Sequence, residues 1–257
     1  KVSNVALLSN DFVGMKPTML FKEGDHVLIH GSGLGETRHG GFCEYGIYDD
    51  AIAIHIPQSL SLKQVMQIGT AGFTAALSIR KMLDNDQKPA GGPILVTGAS
   101  GGVGSFSTAF LSQLSFHVIS LTSKKENEVY LKKLGAKLVL DLKDVPSSDT
   151  PLAAPLYAGA IDSLGGETLA QLLKHVDVYG NIVSVGMISG LNFSSSVLPH
   201  IIRGVNLLGV SSTNCPTKLR LKVWKEISEN YDFSFLDEIS TMEISLKELL
   251  TSAEKLL

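Results

Sequence analysis

Cysteine is nearly absent: the 257 residues include two, Cys43 and Cys215. Two thiols build neither a disulfide framework nor a four-cysteine zinc loop, so a reducing compartment, the cytoplasm, is expected. An excess of positive charge is missing too. Lys and Arg number 22 against 25 Asp and Glu, and they are scattered, which leaves no basic stripe for nucleic acid. No apolar run approaches the roughly 20 residues that a membrane span requires, so no membrane partner is expected. The opening "KVSNVALLSND" does not read as a secretion signal. Internal repeats and low-complexity segments are lacking. What remains is a chain with 44% hydrophobic residues and 25 glycines, enough for a sizeable core in one or two domains.

The glycines gather where they carry meaning. In "GPILVTGASGGVGS" (92–105) a short, mostly β-branched run, Ile94 to Thr97, is bounded by Gly and Pro and reads as a buried strand. Gly98, Gly101, Gly102 and Gly104 follow, and then Phe106, Phe110, Leu111 and Leu114 recur at helical spacing. A glycine turn between a strand and a helix is the setting in which bare backbone approaches a pyrophosphate and a helix N-terminus faces it. Gly101 and Gly104 fit the second and third fingerprint positions, and Ala99 stands at the first. The bland alternative is a tight turn without a ligand.

The surrounding pattern alternates. Strands are expected at 94–97, 117–121, 137–140, 158–162, 181–186 and 206–211, with helices at 102–115, 125–134 and 165–175. That alternation implies parallel βαβ units and an α/β doubly wound Rossmann sheet, with ligands at the carboxyl ends of the strands. Residues 1–68 are different, with short strand-like runs broken by Gly and His. "KLRLKVWKEIS" reads as a helix, and "ISLKELLTSAEKLL" as a strand entering a helix.

The tip of the second strand selects the nucleotide. NAD proteins place an acid there to hold the ribose hydroxyls. This chain has Thr122, Ser123, Lys124 and Lys125, with no acid before Glu126. Hydroxyl and ammonium groups suit a 2′-phosphate, so NADPH is favoured over NADH. Ser123 also reads as a helix N-cap with Glu126 as its capping-box partner, a role compatible with phosphate contact.

Taken in order, "FKEGDHVLIHG", "HGGFCEYG", "QIGTAGFTAALS", "ILVTGASGGVGS", "YLKKLGAKLVL", "AGAIDSLGGETLAQLL", "YGNIVSVG" and "LPHIIRGVNLLGVSS" closely resemble the zinc-independent medium-chain dehydrogenase/reductases, in the acrylyl-CoA reductase branch often labelled quinone oxidoreductases. The resemblance implies a GroES-like, β-rich substrate domain at 1–70, here incomplete, a Rossmann cofactor domain at 71–235, and a return to the substrate domain at 236–257. It implies NADPH contacts at Ser100, Gly101, Gly102 and Val103 in the phosphate turn and at Thr122, Ser123 and Lys124 at the adenosine end. Thr70, Met187, Ile201 and Ser212 would line the nicotinamide side. It further implies homodimers and hydride transfer to an activated carbon–carbon double bond. Two departures matter. An Arg common after the third strand is replaced by Leu142 beside Lys143. Fewer residues precede "GTAG" than in the family, so strands are expected to be missing before residue 21.

Zinc-dependent relatives place His-Glu where this chain has Asn10 and Asp11. His30, His39 and Cys43 lie close in sequence but lack a second cluster, so no metal is expected. Reducing an enoyl thioester such as acrylyl-CoA then requires donors for an enolate oxygen and a proton for the α-carbon. Tyr45 is the candidate proton donor, and His200 and Arg203 are alternative cleft charges. Two other readings stay open: a quinone or enone reductase, and an NADPH-binding sensor or structural protein without turnover.

Overall fold

The computed structural model describes residues 21–254, whose contacts divide into two units. The expectation about strands before residue 21, and the Asn10–Asp11 pair, lie outside the described residues. Unit 2 comprises Thr70–Ser212 and Asn230–Phe235; unit 1 comprises the chain up to Gly69, Thr213–Glu229 and the chain from Leu236 on.

Unit 2 is built on six parallel strands: β3 (Ile94–Thr97), β4 (Val118–Thr122), β5 (Leu138–Asp141), β6 (Tyr157–Asp162), β7 (Val176–Ser184) and β8 (Asn206–Gly209). Their order is β5-β4-β3-β6-β7-β8. The chain leaves β3 to one side for β4 and β5, and later returns to its other side for β6, β7 and β8. The order therefore reverses between β3 and β6, and that crevice is where a doubly wound sheet takes its ligand. Every residue of β3, β4 and β6 is buried, which accounts for their largely apolar character. Leu95, Ile119, Leu121, Leu172, Leu173 and Ile182 share one core cluster. Helix α2 (Gly102–Gln113) buries Phe106 and Phe110, and Phe110 stacks on Tyr231 at 3.9 Å, which draws Asn230–Phe235 into this unit.

Element ends differ from the sequence reading in physically simple ways. The helix expected at 125–134 opens as a 3-10 turn, Lys125–Asn127, and only then becomes α3 (Glu128–Lys133). Strand β7 starts earlier than expected, running through Tyr179 at φ 55° and Gly180, whose place against the Ala158 carbonyl leaves no room for a Cβ. Helix α4 (Gly166–His175) follows β6, and α5 (Leu198–Arg203) precedes β8.

In unit 1, β1 (Val27–Ile29) pairs antiparallel with β2 (Ala53–His55). The sequence reading runs the cofactor domain through 235, whereas Thr213–Glu229 groups with unit 1. The reason is buried polar contact. On α6 (Thr217–Asn230), the Trp224 indole N–H donates to His30 Nε2 at 2.8 Å, and Arg220 donates to Ser32 Oγ at 3.2 Å. The strand expected near Ile244 does not form. Ser245 and Glu248 make a capping box there, which starts a helical turn leading into α8 (Leu249–Glu254). Helix α1 (Leu62–Asp84) is broken at Gly69, whose φ of 51° and ψ of −157° suit only glycine; the division between units falls there. Among the described residues no helix is long and apolar enough to cross a membrane.

Candidate functional site

The glycine turn sits at the carboxyl end of β3, beside the crevice. Gly98 turns at φ 59°, and the Gly101 N–H donates back to the Gly98 carbonyl at 2.9 Å. Helix α2 then begins with no side chain capping it, and Gly101 and Gly102 are exposed. The first-turn N–H groups of a helix have no partner within it, so here they face outward with the positive end of the helix dipole behind them. The turn has no space for a side chain at Gly104 and little at Gly102. A Cβ on Gly104 would lie 2.4 Å from the Gly98 carbonyl oxygen, and one on Gly102 would lie 3.1 Å from Ala71 Cβ. This cradle, open to an anion and closed to a Cβ, fits a pyrophosphate. Ser100 is half-buried and Val103 partly so.

A hydroxyl chain ties the turn to the tip of β4. Ser100 Oγ lies 3.0 Å from Thr122 Oγ1, which also accepts the Lys124 N–H at 3.1 Å. Tyr130 donates to Ser105 Oγ at 2.8 Å, and Ser105 donates to the Ala99 carbonyl at 3.2 Å. Thr122 is thus buried and turned into the protein, while Ser123 and Lys124 are exposed. The Ser123–Glu126 capping box does not form. Lys124 occupies the cap position, where an ammonium has no acceptor to offer a backbone N–H, and the Thr122 hydroxyl takes the N–H of Lys124 itself. Next to the tip, a cleft of about 450 Å³ is lined by Thr122, Lys125, Glu128, Asp141 and Lys143. The Asp141 carboxyl is held below its usual range, first by the Lys143 backbone N–H at 3.1 Å and then by the Lys143 side chain. Leu142 packs against the core, leaving Lys143 as the cation after the third strand of this sheet.

On the other side of the crevice a cleft of about 330 Å³ is lined by Gly165, Gly166, Ser184, Gly186, Met187 and Leu191 among others. Met187 is 65% exposed in it. Ile201 is exposed on α5, Ser212 is half-buried after β8, and Thr70 is exposed with its carbonyl accepting the Thr74 hydroxyl at 2.7 Å; none of the three lines this cleft. Sequence reasoning missed Asp162. It is fully buried at the end of β6 and accepts from Thr97 Oγ1 at 2.7 Å and from the Gly165 N–H at 2.9 Å. An acid followed by two glycines in "DSLGG" was the available signal.

Two proposed cleft charges are structural instead. Arg203 donates to the carbonyls of Lys174 and Val176 at 3.0 and 3.1 Å and to that of Ala153. Those groups lie at the amino end of β7, opposite the crevice. His200 Nδ1 is 2.7 Å from the Val205 carbonyl, a contact local to the α5–β8 connection.

In unit 1, Tyr45 is 80% exposed in a stretch without regular structure. Cys43 Sγ lies 3.6 Å from Tyr48 Oη, and this contact leads the upward shift of the Tyr48 phenol. His30 accepts from Trp224, and burial, with Arg220 nearby, lowers its pKa from 6.5 to about 4. No group of three or more His, Cys, Asp or Glu side chains suited to a metal occurs among the described residues.

Residues 102–229 match the family described as zinc-binding dehydrogenase. The chain is 39% identical over 229 residues to the putative quinone oxidoreductase YhfP of Bacillus subtilis, covering 89% of this chain and 69% of that one. The structure of B. subtilis YhfP with NAD bound superposes with a TM-score of 0.87 at 37% identity, covering 92% of this chain and 72% of that one. The probable acrylyl-CoA reductase AcuI of Escherichia coli is 36% identical over 250 residues, 96% of this chain and 76% of that one. The yhdH oxidoreductase of Salmonella enterica in complex with NADP gives a TM-score of 0.86 at 34% identity, over 92% and 72% of the two chains. The chain thus spans about seven-tenths of these relatives' length.

Proposed function

Because the chain belongs to the zinc-independent medium-chain dehydrogenase/reductases, in the acrylyl-CoA reductase and quinone oxidoreductase-like branch, we propose that it is an NADPH-dependent reductase of an activated carbon–carbon double bond, with acrylyl-CoA or a similar enoyl thioester as acceptor. The observation that carries the reading is the glycine turn: a cradle too tight for a Cβ at Gly104, at the open N-terminus of α2, beside the β3–β6 crevice. NADPH, when bound, supplies a hydride. The protein's part is to hold and orient it. The N–H groups of Gly101, Gly102 and Val103 and the Ser100 hydroxyl serve the phosphates. Ser123 and Lys124 serve the 2′-phosphate, with Lys143 as a further cation and Thr122 fixing the loop behind them. Met187 packs on the nicotinamide side, with Thr70, Ile201 and Ser212 as further contacts. Tyr45 is the candidate proton donor for the α-carbon. The proposal includes a cytoplasmic homodimer, checked in solution by light scattering.

A quinone or enone acceptor is the second reading, favoured by the similarity to YhfP. The deciding experiment follows NADPH oxidation with acrylyl-CoA, a small enone and a small quinone side by side. Fastest turnover of acrylyl-CoA is the expected result, and a preference for the quinone moves the assignment to the second reading. Tight NADPH binding with no oxidation by any acceptor would mean a sensor or structural role.

A further inference from the structure

The buried acid of "AIDSLGGETL", Asp162, stands where β6 ends beside β3. The backbone ladder between β3 and β6 runs through Ile94↔Gly159, Leu95↔Ala160 and Val96↔Ile161 and stops. At the next step, side chains continue it. Thr97 Oγ1 donates to Asp162 Oδ1 at 2.7 Å and accepts the Ser163 N–H at 2.9 Å. Asp162 also accepts the N–H groups of Leu164 at 3.3 Å and Gly165 at 2.9 Å. Both side chains are fully buried. One hydroxyl and one carboxylate therefore join the two strand ends across the crevice and dictate the turn that follows β6.

That turn in turn dictates the loop after β7. The Val185 N–H donates to the Asp162 carbonyl at 2.8 Å, and the Ser189 N–H donates to that of Leu164 at 2.7 Å. The two segments meet backbone on backbone. A Cβ on Gly186 would lie 2.3 Å from the Ser163 carbonyl, and one on Gly166 would lie 2.6 Å from the Ser189 carbonyl. Gly165, Gly166, Gly186 and Met187 then line the cleft beside β6 and β7. A dinucleotide lying across the crevice of a doubly wound sheet puts one nucleotide on each half. The half at β4 and β5 has its own ties, Ser100 to Thr122 and Tyr130 to Ser105, none of which passes through Asp162.

We propose that Thr97 and Asp162 are positioning residues for the nicotinamide half of the cofactor, acting through the 163–166 turn and the 186–190 loop without touching the ligand. This inference rests on the nicotinamide-nucleotide reading above. It makes the two halves of the cleft separable, and 2′,5′-ADP, which carries the adenosine half alone, is the probe. Asp162→Asn turns an amide N–H₂ toward a backbone donor, and Thr97→Val removes the hydroxyl that bridges the strand ends. Thr97→Ser keeps it.

The experiment measures the affinities of NADPH and 2′,5′-ADP by calorimetry for the wild type and the three variants. Asp162→Asn and Thr97→Val are expected to weaken NADPH about tenfold or more, the scale of a charge-assisted hydrogen bond. Both should leave 2′,5′-ADP unchanged, and Thr97→Ser should bind both ligands like the wild type. A general structural role would weaken the two ligands together, and that outcome overturns the inference. So does a Thr97→Ser variant as damaged as Thr97→Val, or NADPH affinity untouched by any variant. If Asp162→Asn does not fold, the Thr97 pair decides. Wild-type protein that binds neither ligand overturns the nicotinamide-nucleotide reading and this inference with it. Wild type that binds both, with variants that lose both, overturns the inference alone.

Discussion

In unit 2 the candidate site is shaped by backbone: glycines at 101 and 104 on one half, and at 165, 166 and 186 on the other, lie so close to neighbouring backbone that added carbons press on carbonyl oxygens. In unit 1 the polar interior is made of side chains: Trp224 on His30, and Arg220 on Ser32. The difference teaches where each unit is fragile. A backbone site fails when atoms are added, because nothing nearby can yield. A side-chain cluster fails when a proton is added or a partner removed, because a buried polar group is then left uncompensated.

The largest expected effect tests the first half of that contrast. Gly104→Ala puts a carbon 2.4 Å from a backbone oxygen, where no flexible side chain can move away. It should destabilise unit 2 by about 3 kcal/mol or more and abolish NADPH binding. Urea unfolding with a cofactor titration checks this, and wild-type behaviour in both would show the turn to be loose.

An effect of similar size tests unit 1 by pH. His30 is kept neutral when folded, with a pKa of about 4 against 6.5. The unfolded chain therefore takes up a proton near pH 6.5 that the folded chain refuses. Stability is complete above about pH 6.5, declines as pH falls toward 4, and levels off below. At about 1.4 kcal/mol per pH unit, the whole window is worth roughly 3 kcal/mol. Trp224 is the sole tryptophan and donates to His30, so its fluorescence reports this unit directly. His30→Gln should flatten the dependence, and an unchanged slope in that variant would assign the titration to another group.

Arg203→Ala sharpens the contrast within unit 2, since it removes a side-chain clamp that lies away from the backbone-shaped site. Losing a guanidinium that serves three carbonyls should cost about 2 kcal/mol. Cofactor affinity should hold, because the clamp lies at the amino end of β7. A variant of normal stability that binds NADPH poorly would return Arg203 to the cleft.

The smallest effect concerns Lys124, an exposed cation assigned to cofactor choice. Lys124→Ala should weaken NADPH about tenfold and leave NADH nearly unchanged, and salt should narrow the gap between the two cofactors. Equal wild-type affinities, or equal losses in the variant, would remove Lys124 from phosphate recognition.

The sequence by itself determined the parallel sheet, the glycine turn and the family, because each is written in neighbouring residues. A buried strand needs a continuous apolar run, and the turn after β3 needs positions without Cβ. The hydroxyl-and-lysine tip of β4 was legible for the same reason. Only the tertiary structure decided the rest, which depends on groups far apart in the chain. Thr97 and Asp162 are 65 residues apart and meet only because β6 returns to lie beside β3. His30 and Trp224 are 194 residues apart, so no local pattern marks 213–229 as part of unit 1. Arg203 reads as a cleft charge in sequence, because a guanidinium signals its charge but not its direction. Folding aims it at three carbonyls at the far end of the sheet. Local chemistry selects the element, and burial among distant partners selects what each polar side chain is for.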